Sequence, residues 1–229
     1  MAANRIADLR VSNAKSFHLD KCDPGDTLGW AKDSARAELE KVKVELDELQ
    51  QRFAADASRS LLLVLQARDA AGKDGTVRSI FSGLNPAGIR VTSFKVPAGR
   101  EAEQDYLWRV HNACPSDGEI GVFNRSHYED VLVVRVKKFV PESTWKKRYR
   151  HINEFERLLT DEGTAVVKCF LNVSKREQAQ RFQDRLDDPT KRWKFREGDL
   201  ADRKLWGKFQ EAYNDAITRT STSYAPWSA

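Results

Sequence analysis

Residues Gln66-Ala67-Arg68-Asp69-Ala70-Ala71-Gly72-Lys73-Asp74-Gly75-Thr76 combine acids, a lysine and two glycines directly after the apolar run Leu61–Leu65. A buried strand that runs into a glycine-containing turn and then a helix is the architecture of a phosphate-binding loop, usually worded G-x-x-x-x-G-K-[ST]. Here Gly72-Lys73 is intact, Ala67 stands at the first glycine, and Asp74 stands at the metal-binding hydroxyl. Asp69 adds a second carboxylate inside the loop. Two carboxylates in an anion cradle repel phosphate in a partly dry site unless a cation lies between them. The loop therefore reads as a Mg²⁺-dependent phosphoryl-transfer site.

Such chemistry asks the protein for position and charge stabilisation, with little covalent work. Backbone N–H groups around Gly72 to Gly75, at the start of the following helix, suit phosphate oxygens. Arg68, Ala70, Ala71, Asp74 and Thr76 belong to the same phosphate-binding stretch. Lys73 would neutralise charge on the transferred group. Asp69 would bind Mg²⁺, directly or through water, or orient the accepting phosphate, since octahedral Mg²⁺ takes one or two carboxylates plus phosphates. Asp74 serves equally well as a helix N-cap.

A second constellation is Phe123-Asn124-Arg125-Ser126-His127-Tyr128-Glu129. In doubly wound sheets ligands bind beyond the carboxyl ends of the strands, so the loops after Leu65 and Phe123 are expected to face one crevice. Arg125 would clamp a phosphate, and Glu129 or Asp130 would hold metal or orient substrate; a polar connection without function is the alternative. Arg181 and Arg185 share a helix face and would hold flanking phosphates bidentately. Against this stands simple pairing with Glu177 and Asp184. Trp108 reads as core, and Trp193 as packing or base-stacking. None of the four histidines makes an H-x-x-x-H spacing.

The elements that must position these groups alternate along the chain. Residues 1–32 look irregular, with a turn at Asp23-Pro24-Gly25-Asp26. Leu39, Val42, Leu46, Leu49 and Phe53 predict a helix from Asp33 to about Ala55. Strands are expected at Leu61–Leu65, Ile89–Phe94, Ile120–Phe123 and Thr164–Val173. Helices are expected at Thr76–Leu84, Glu101–Ala113 and Glu142–Leu159, and at Val131–Val136, where β-branched content says strand but the position after a loop favours helix. This alternation implies a parallel sheet covered on both faces. Beyond residue 174 the pattern turns helical and basic. Ser174 caps Lys175–Leu186, with Glu177 at capping-box spacing; Asp202–Thr220 is a second helix, and together they flank Lys191–Arg196 as a helical lid over about 174–200.

The 229 residues, 40% hydrophobic, suit a single α/β domain over 1–229. Net charge is +5, and the excess is clustered: residues 135–151 hold seven Lys or Arg against one acid, and 175–196 hold eight against four. Such patches favour a polyanionic partner, and the first of them would guide a long chain toward the site; a solvated helix face is the bland alternative. Three widely spaced cysteines fit free thiols in a reducing cytosol. With no apolar leader and no long apolar stretch, a cytoplasmic location and no membrane partner are expected.

Taken together the segments resemble the polyphosphate kinase 2 family. The matching pieces are Ala67 to Thr76, Asp105-Tyr106-Leu107-Trp108-Arg109-Val110-His111, and Gly121 to Leu132. Arg181-Phe182 and Asp188-Pro189-Thr190-Lys191-Arg192-Trp193-Lys194-Phe195 follow in the same order. The resemblance runs from about residue 17 to 227. It implies a thymidylate-kinase-like P-loop core with a helical lid, and reversible phosphoryl transfer between inorganic polyphosphate and a nucleotide. Catalytic residues would be Asp69, Lys73, Asn124 and Arg125, with Lys191 and Lys194 joining Arg181 and Arg185 on polyphosphate. Asn124, Arg125, Ser126, Glu129 and Arg109 would hold the nucleotide. Asn124 stands where many members carry an aspartate, wording similar to the subgroup that phosphorylates both nucleoside mono- and diphosphates. Mg²⁺ is the implied cofactor, with Mn²⁺ as a substitute, and the implied assembly is a homo-oligomer, dimer or tetramer.

Two other readings compete. An ATP-dependent P-loop nucleoside monophosphate kinase shares loop, lid and Mg²⁺, but Asp74, Asp69 and the density of base argue against it. A nucleic-acid-binding module fits the charge, yet no recognition signature is present.

Overall fold

The computed structural model describes residues 7–12 and 16–229. Of the irregular stretch expected over 1–32, the described residues form 3-10 turns at Ala7–Leu9 and Leu19–Lys21; the rest lies outside the described residues. Thereafter the order is α1 (Lys32–Asp56), β1 (Ser60–Ala67), α2 (Lys73–Phe81), β2 (Ile89–Thr92), α3 (Trp108–His111) and β3 (Ile120–Asn124). It continues through α4 (Val133–Val136), α5 (Glu142–Asp161), β4 (Thr164–Leu171), α6 (Lys175–Asp187), α7 (Glu197–Lys204), α8 (Trp206–Thr220) and β5 (Trp227–Ser228).

The strands form one sheet in the order β2-β3-β1-β4-β5, and every pairing is parallel. β1 is central because Leu62, Val64 and Leu65 lose their water on folding and find apolar cover. Leu65 lies opposite Asn124 in the β1–β3 register, so the two strands end side by side. The chain leaves β1 for the edge strand β2 before returning to β3, and later crosses to β4 on the other side. That reversal makes the switch point at which α/β sheets bind ligands.

On one face, Leu62, Val64, Phe123 and Phe170 pack with Ile152 and Phe155 of α5 and with Ala212, Ala216 and Ile217 of α8. On the other, Leu65, Ile120 and Val122 meet Phe53 of α1 and Val77 and Phe81 of α2. Lys168 occupies an inward position of β4 and is fully buried, as is Glu156 of α5. Lys168 Nζ donates to Glu156 Oε2 at 2.6 Å, to the Thr220 carbonyl at 2.7 Å and to the Tyr128 hydroxyl at 3.0 Å. Glu156 Oε1 accepts from Tyr128 at 2.7 Å and lies 3.2 Å from His127 Nε2. A buried charge needs such partners.

Several expected boundaries move for local reasons. The helix expected at Thr76 starts at Lys73, because Gly72, at φ 104°, breaks the loop just before it. The helix expected over Glu101–Ala113 is a 3-10 turn, Gly99–Glu103, and the four-residue α3. Between them the Asp105 carboxylate accepts from Leu107 N at 2.9 Å, an Asx turn that competes with the helix. Asp202–Thr220 is two helices that meet at Leu205. Only Val133–Val136 of Val131–Val136 is helical, and β2 and β4 end at Thr92 and Leu171. In α1 the apolar stripe does not face the core throughout: Val42 and Leu49 are 47% and 58% exposed. Trp108 is half-buried beneath Arg100, and Trp193 is exposed. All three cysteines are free thiols.

Candidate active site

The loop after β1 turns sharply. Ala70 and Gly72 both take left-handed backbone, at φ 61° and 104°. The backbone at Gly72 is one that favours glycine; a side chain there would also come within 3.3 Å of Arg181 Nη1, the flexible end of which would have to shift slightly. Lys73, first in α2, folds back across the loop: its Nζ donates to the Ala67 carbonyl at 2.9 Å and lies 3.5 Å from that of Arg68. Burial and the Arg125 guanidinium pull the Lys73 ammonium below its ordinary pKa, against the opposing carboxylates of Glu129, Asp69 and Asp74.

The loop after β3 meets it directly. Arg125 Nη2 donates to Asp69 Oδ1 at 2.9 Å, and Asn124 Nδ2 donates to Asp74 Oδ1 at 2.6 Å. Arg125 is held at φ 64°, a conformation that a side chain of this size keeps only when its surroundings impose it. Burial opposes its charge, but Glu129 and Asp69 outweigh burial and hold the guanidinium above its usual range. Burial raises the Glu129 carboxyl. Gln66, fully buried at the end of β1, joins the two loops: in its satisfied orientation it donates to Glu129 Oε1 at 3.2 Å and accepts from Ser126 N at 3.0 Å.

The structure thus brings together Asp69, Lys73, Asp74, Asn124, Arg125 and Glu129. Arg181 joins them from α6, donating from Nη1 to the Ala70 carbonyl at 3.1 Å and from Nε to Glu177 at 2.8 Å. Ala71, Gly75 and Thr76 line the turn and first helical residues; the Thr76 N–H is already spent on the Gly72 carbonyl at 2.9 Å.

Arg68 hydrogen-bonds Gln210 and stacks 4.1 Å over Trp206, in the wall of the cavity that Asp69, Arg125 and Glu129 also line, and burial pushes its pKa down to about 10. Other expected site residues lie elsewhere. Ser126 is fully buried, and its hydroxyl accepts from Tyr128 N at 3.2 Å, capping its own turn. Arg109 is buried too, donating to the Lys95 carbonyl at 2.6 Å with Glu101 at 3.4 Å, and lines a separate concavity with Phe94 and Asn112. Arg185 faces Asp199 at 3.7 Å, Lys191 pairs with Asp188 at 2.7 Å, and Lys194 lies over Trp193. In the 135–151 patch Arg135, Lys137, Lys146, Arg148 and Arg150 all have acidic partners, which favours the bland reading there.

Among the described residues no three acids, histidines or cysteines converge into a ready-made metal cage. That suits Mg²⁺, which takes one or two carboxylates and draws its other ligands from phosphates and water. Asp69, beside the loop that would carry those phosphates, is the carboxylate that fits.

The family model for polyphosphate kinase 2 (PPK2) matches residues 29–229. The chain belongs to the polyphosphate kinase 2 family. It is therefore a phosphotransferase enzyme on a P-loop kinase fold. The AMP/ADP-polyphosphate phosphotransferase of Meiothermus ruber is 56% identical over 220 residues, covering 95% of this chain and 82% of that one. The ADP-polyphosphate phosphotransferase of Rhodopseudomonas palustris is 45% identical over 84% of this chain and 71% of its own length. The crystal structure of polyphosphate kinase 2 from Arthrobacter aurescens TC1 superposes with a TM-score of 0.93 at 42% identity, over 96% of this chain and 80% of that chain. In this PPK2 chain, Asp69, Lys73, Asn124 and Arg125 come together where the loops after β1 and β3 meet. Sequence reasoning passed over Gln66, Gln178, Glu156 and Lys168. Only Glu156 and Lys168 left a trace, as charges at apolar-periodic positions of a helix and a strand.

Proposed function

We propose that the chain transfers a phosphoryl group from inorganic polyphosphate to AMP and to ADP, reversibly and with a divalent cation. The observation that carries this is the cross-loop pairing of Asp69 with Arg125 and of Asp74 with Asn124. It sets cation, carboxylate and amide beside one phosphate-binding turn. An ATP-dependent monophosphate kinase would carry a hydroxyl where Asp74 stands. The name of the Meiothermus relative, an AMP/ADP-polyphosphate phosphotransferase, supports both acceptors.

In this reading Lys73 and Arg125 hold and neutralise the transferred phosphoryl group as charge spreads over its oxygens. Mg²⁺ or Mn²⁺, when bound, neutralises neighbouring phosphate oxygens, and Asp69 is the side chain that would hold it. Asn124 presents a neutral amide near the acceptor, which spares an ADP phosphate the repulsion a carboxylate would bring. Glu129 orients Arg125 from the side. The segment 174–200 acts as a lid, with Arg181 its contribution to phosphate binding. The single domain works as a homo-oligomer, dimer or tetramer; the exposed Val42 and Leu49 on α1 support an unfilled contact surface. The partners are polyphosphate and nucleotides, with no part for nucleic acid or membrane, and no helix among the described residues is long and apolar enough to cross one. A cytoplasmic setting fits those substrates.

The test is a turnover assay with purified protein, Mg²⁺, polyphosphate and AMP or ADP, without added ATP. Nucleotides are resolved by anion-exchange chromatography. ATP should form from both acceptors, cease in excess chelator and return with Mg²⁺ or Mn²⁺. Formation of ADP alone from AMP would remove the second acceptor; no product at all would remove the polyphosphate reading.

A further inference from the structure

The proposed chemistry turns on Asp69, and the backbone of Asp69 is held from outside its own loop. Gln178 of α6 is 3% exposed. Its Nε2 donates to the Asp69 backbone carbonyl at 2.9 Å. Its Oε1 accepts from Arg203 Nη1 at 3.0 Å. The same Arg203 nitrogen donates to the Lys175 carbonyl at 2.7 Å, tying α7 to the first residue of α6. Arginine only donates, so Arg203 fixes which end of the Gln178 amide points at Asp69.

One turn further along α6, Arg181 donates to the Ala70 carbonyl. Helix α6 therefore grips two successive carbonyls at the point where Ala70 adopts its left-handed backbone. A carbonyl and the N–H of the same trans peptide point in opposite directions. Holding the Asp69 carbonyl toward α6 thus turns the Ala70 N–H away from it and fixes the backbone from which the Asp69 carboxylate projects. No other standard side chain of glutamine's length both accepts from Arg203 and donates to Asp69. Glutamate keeps the first contact and loses the second, while leucine loses both.

We propose that Gln178, locked by Arg203, is a positioning residue that sets the Asp69–Ala70 peptide and so the direction of the Asp69 carboxylate. This rests on the reading of Asp69 as the cation-holding group. Supporting groups of this kind are typically worth 10–100-fold in metal affinity or activity.

The experiment measures steady-state rates against Mg²⁺, ADP and polyphosphate for the wild type, Gln178→Leu, Gln178→Glu, Arg203→Met, Gln178→Leu/Arg203→Met and Asp69→Asn. Thermal melts check that each variant is folded, and the Mg²⁺-induced shift of the melt in the presence of polyphosphate reads cation binding apart from turnover: it should need several-fold more Mg²⁺ in Gln178→Leu and Gln178→Glu than in the wild type. Gln178→Leu should lower kcat by about 10–100-fold, raise the Mg²⁺ needed for half-maximal rate several-fold, and leave the ADP KM unchanged. Gln178→Glu should be equally impaired despite its retained partner, and it keeps the test decisive if the leucine variant fails to fold. Arg203→Met should act in the same direction and add nothing in the Gln178→Leu background. Normal kcat and Mg²⁺ dependence in Gln178→Glu would overturn the proposal, because a mere tie between α6 and α7 survives in that variant. A raised polyphosphate KM with unchanged Mg²⁺ dependence would overturn it as well, making Gln178 a substrate contact. The Asp69→Asn arm separates the two readings. If it leaves the Mg²⁺ requirement at the wild-type value, the assignment of Asp69 fails; if it shifts that requirement and Gln178→Leu does not, only the present inference fails.

Discussion

Replacing Lys168 with methionine should unfold this protein at a markedly lower temperature, and a second substitution should recover much of the loss. Lys168 and Glu156 are both fully buried and 2.6 Å apart. Burial works against the Glu156 charge, but Lys168 and His127 outweigh it and hold the carboxyl below its usual range. Lys168→Met leaves that carboxylate in the interior without its ammonium partner, with His127 and the Tyr128 hydroxyl beside it. Breaking a buried pair from one side costs about 3–5 kcal/mol. For a chain of this size each kcal/mol lowers Tm by roughly 2–4 °C, so the expected fall is about 6–20 °C. Glu156→Gln strands the Lys168 ammonium and should cost about as much. If the two costs were independent, the double variant would lose roughly twice either. Instead it should lose no more than either single variant, because neither buried charge remains. What persists is the Thr220 carbonyl without its donor, worth about 1–3 kcal/mol. Differential scanning calorimetry on the three variants gives the cycle directly. Additivity within about 0.5 kcal/mol would show that the two groups do not act as a pair and would refute the argument.

Asp69→Asn and Lys73→Ala should each lower turnover by several hundred-fold or more with unchanged melting curves; near-wild-type rates in either would remove that residue from the chemistry. Arg181→Ala should impair transfer more than Arg185→Ala, since Arg181 reaches the loop and Arg185 faces Asp199; equal losses would speak against this geometry. Lys73 should also set the alkaline limit. Its charged form is the working one, and burial with Arg125 lowers its pKa below the ordinary 10.5, so kcat should fall as pH rises through that lowered value. A profile flat to the ordinary lysine range would contradict this.

Strand order was hidden from the sequence, while strand existence was plain. Leu61–Leu65 and Ile120–Phe123 are short apolar runs bounded by polar turns, and both are strands. Nothing local says that β3 lies between β1 and β2, because pairing is decided by contacts far apart in the chain. Helix ends failed where side chains compete for the backbone. Asp105 ends one pattern, and Gly72 starts another helix sooner than its apolar residues indicate. The α1 stripe shows a different limit: Leu39 to Phe53 have helical period whether or not anything covers Val42 and Leu49.

The site divides in the same way. Asp69, Lys73, Asn124 and Arg125 could be named as candidates from residue types at short spacing within two loops, and the structure brings those loops together. The neighbours of Arg68 were not legible, because its place in a phosphate loop says nothing of Trp206 and Gln210, far along the chain, which it contacts. The same long-range logic hides the supports. Gln66, Gln178 and the Glu156–Lys168 pair act through atoms contributed by distant elements, and none carries a spacing signature. Their arrangement nonetheless shows how the site is stabilised. His127 and Tyr128 anchor the second loop to the buried pair, Gln66 joins it to the first, and Gln178 and Arg181 hold the first loop from α6. Arg125 and Ala70, the two non-glycine residues held in left-handed backbone at the centre, stand where these supports converge, which is where strain is sustained.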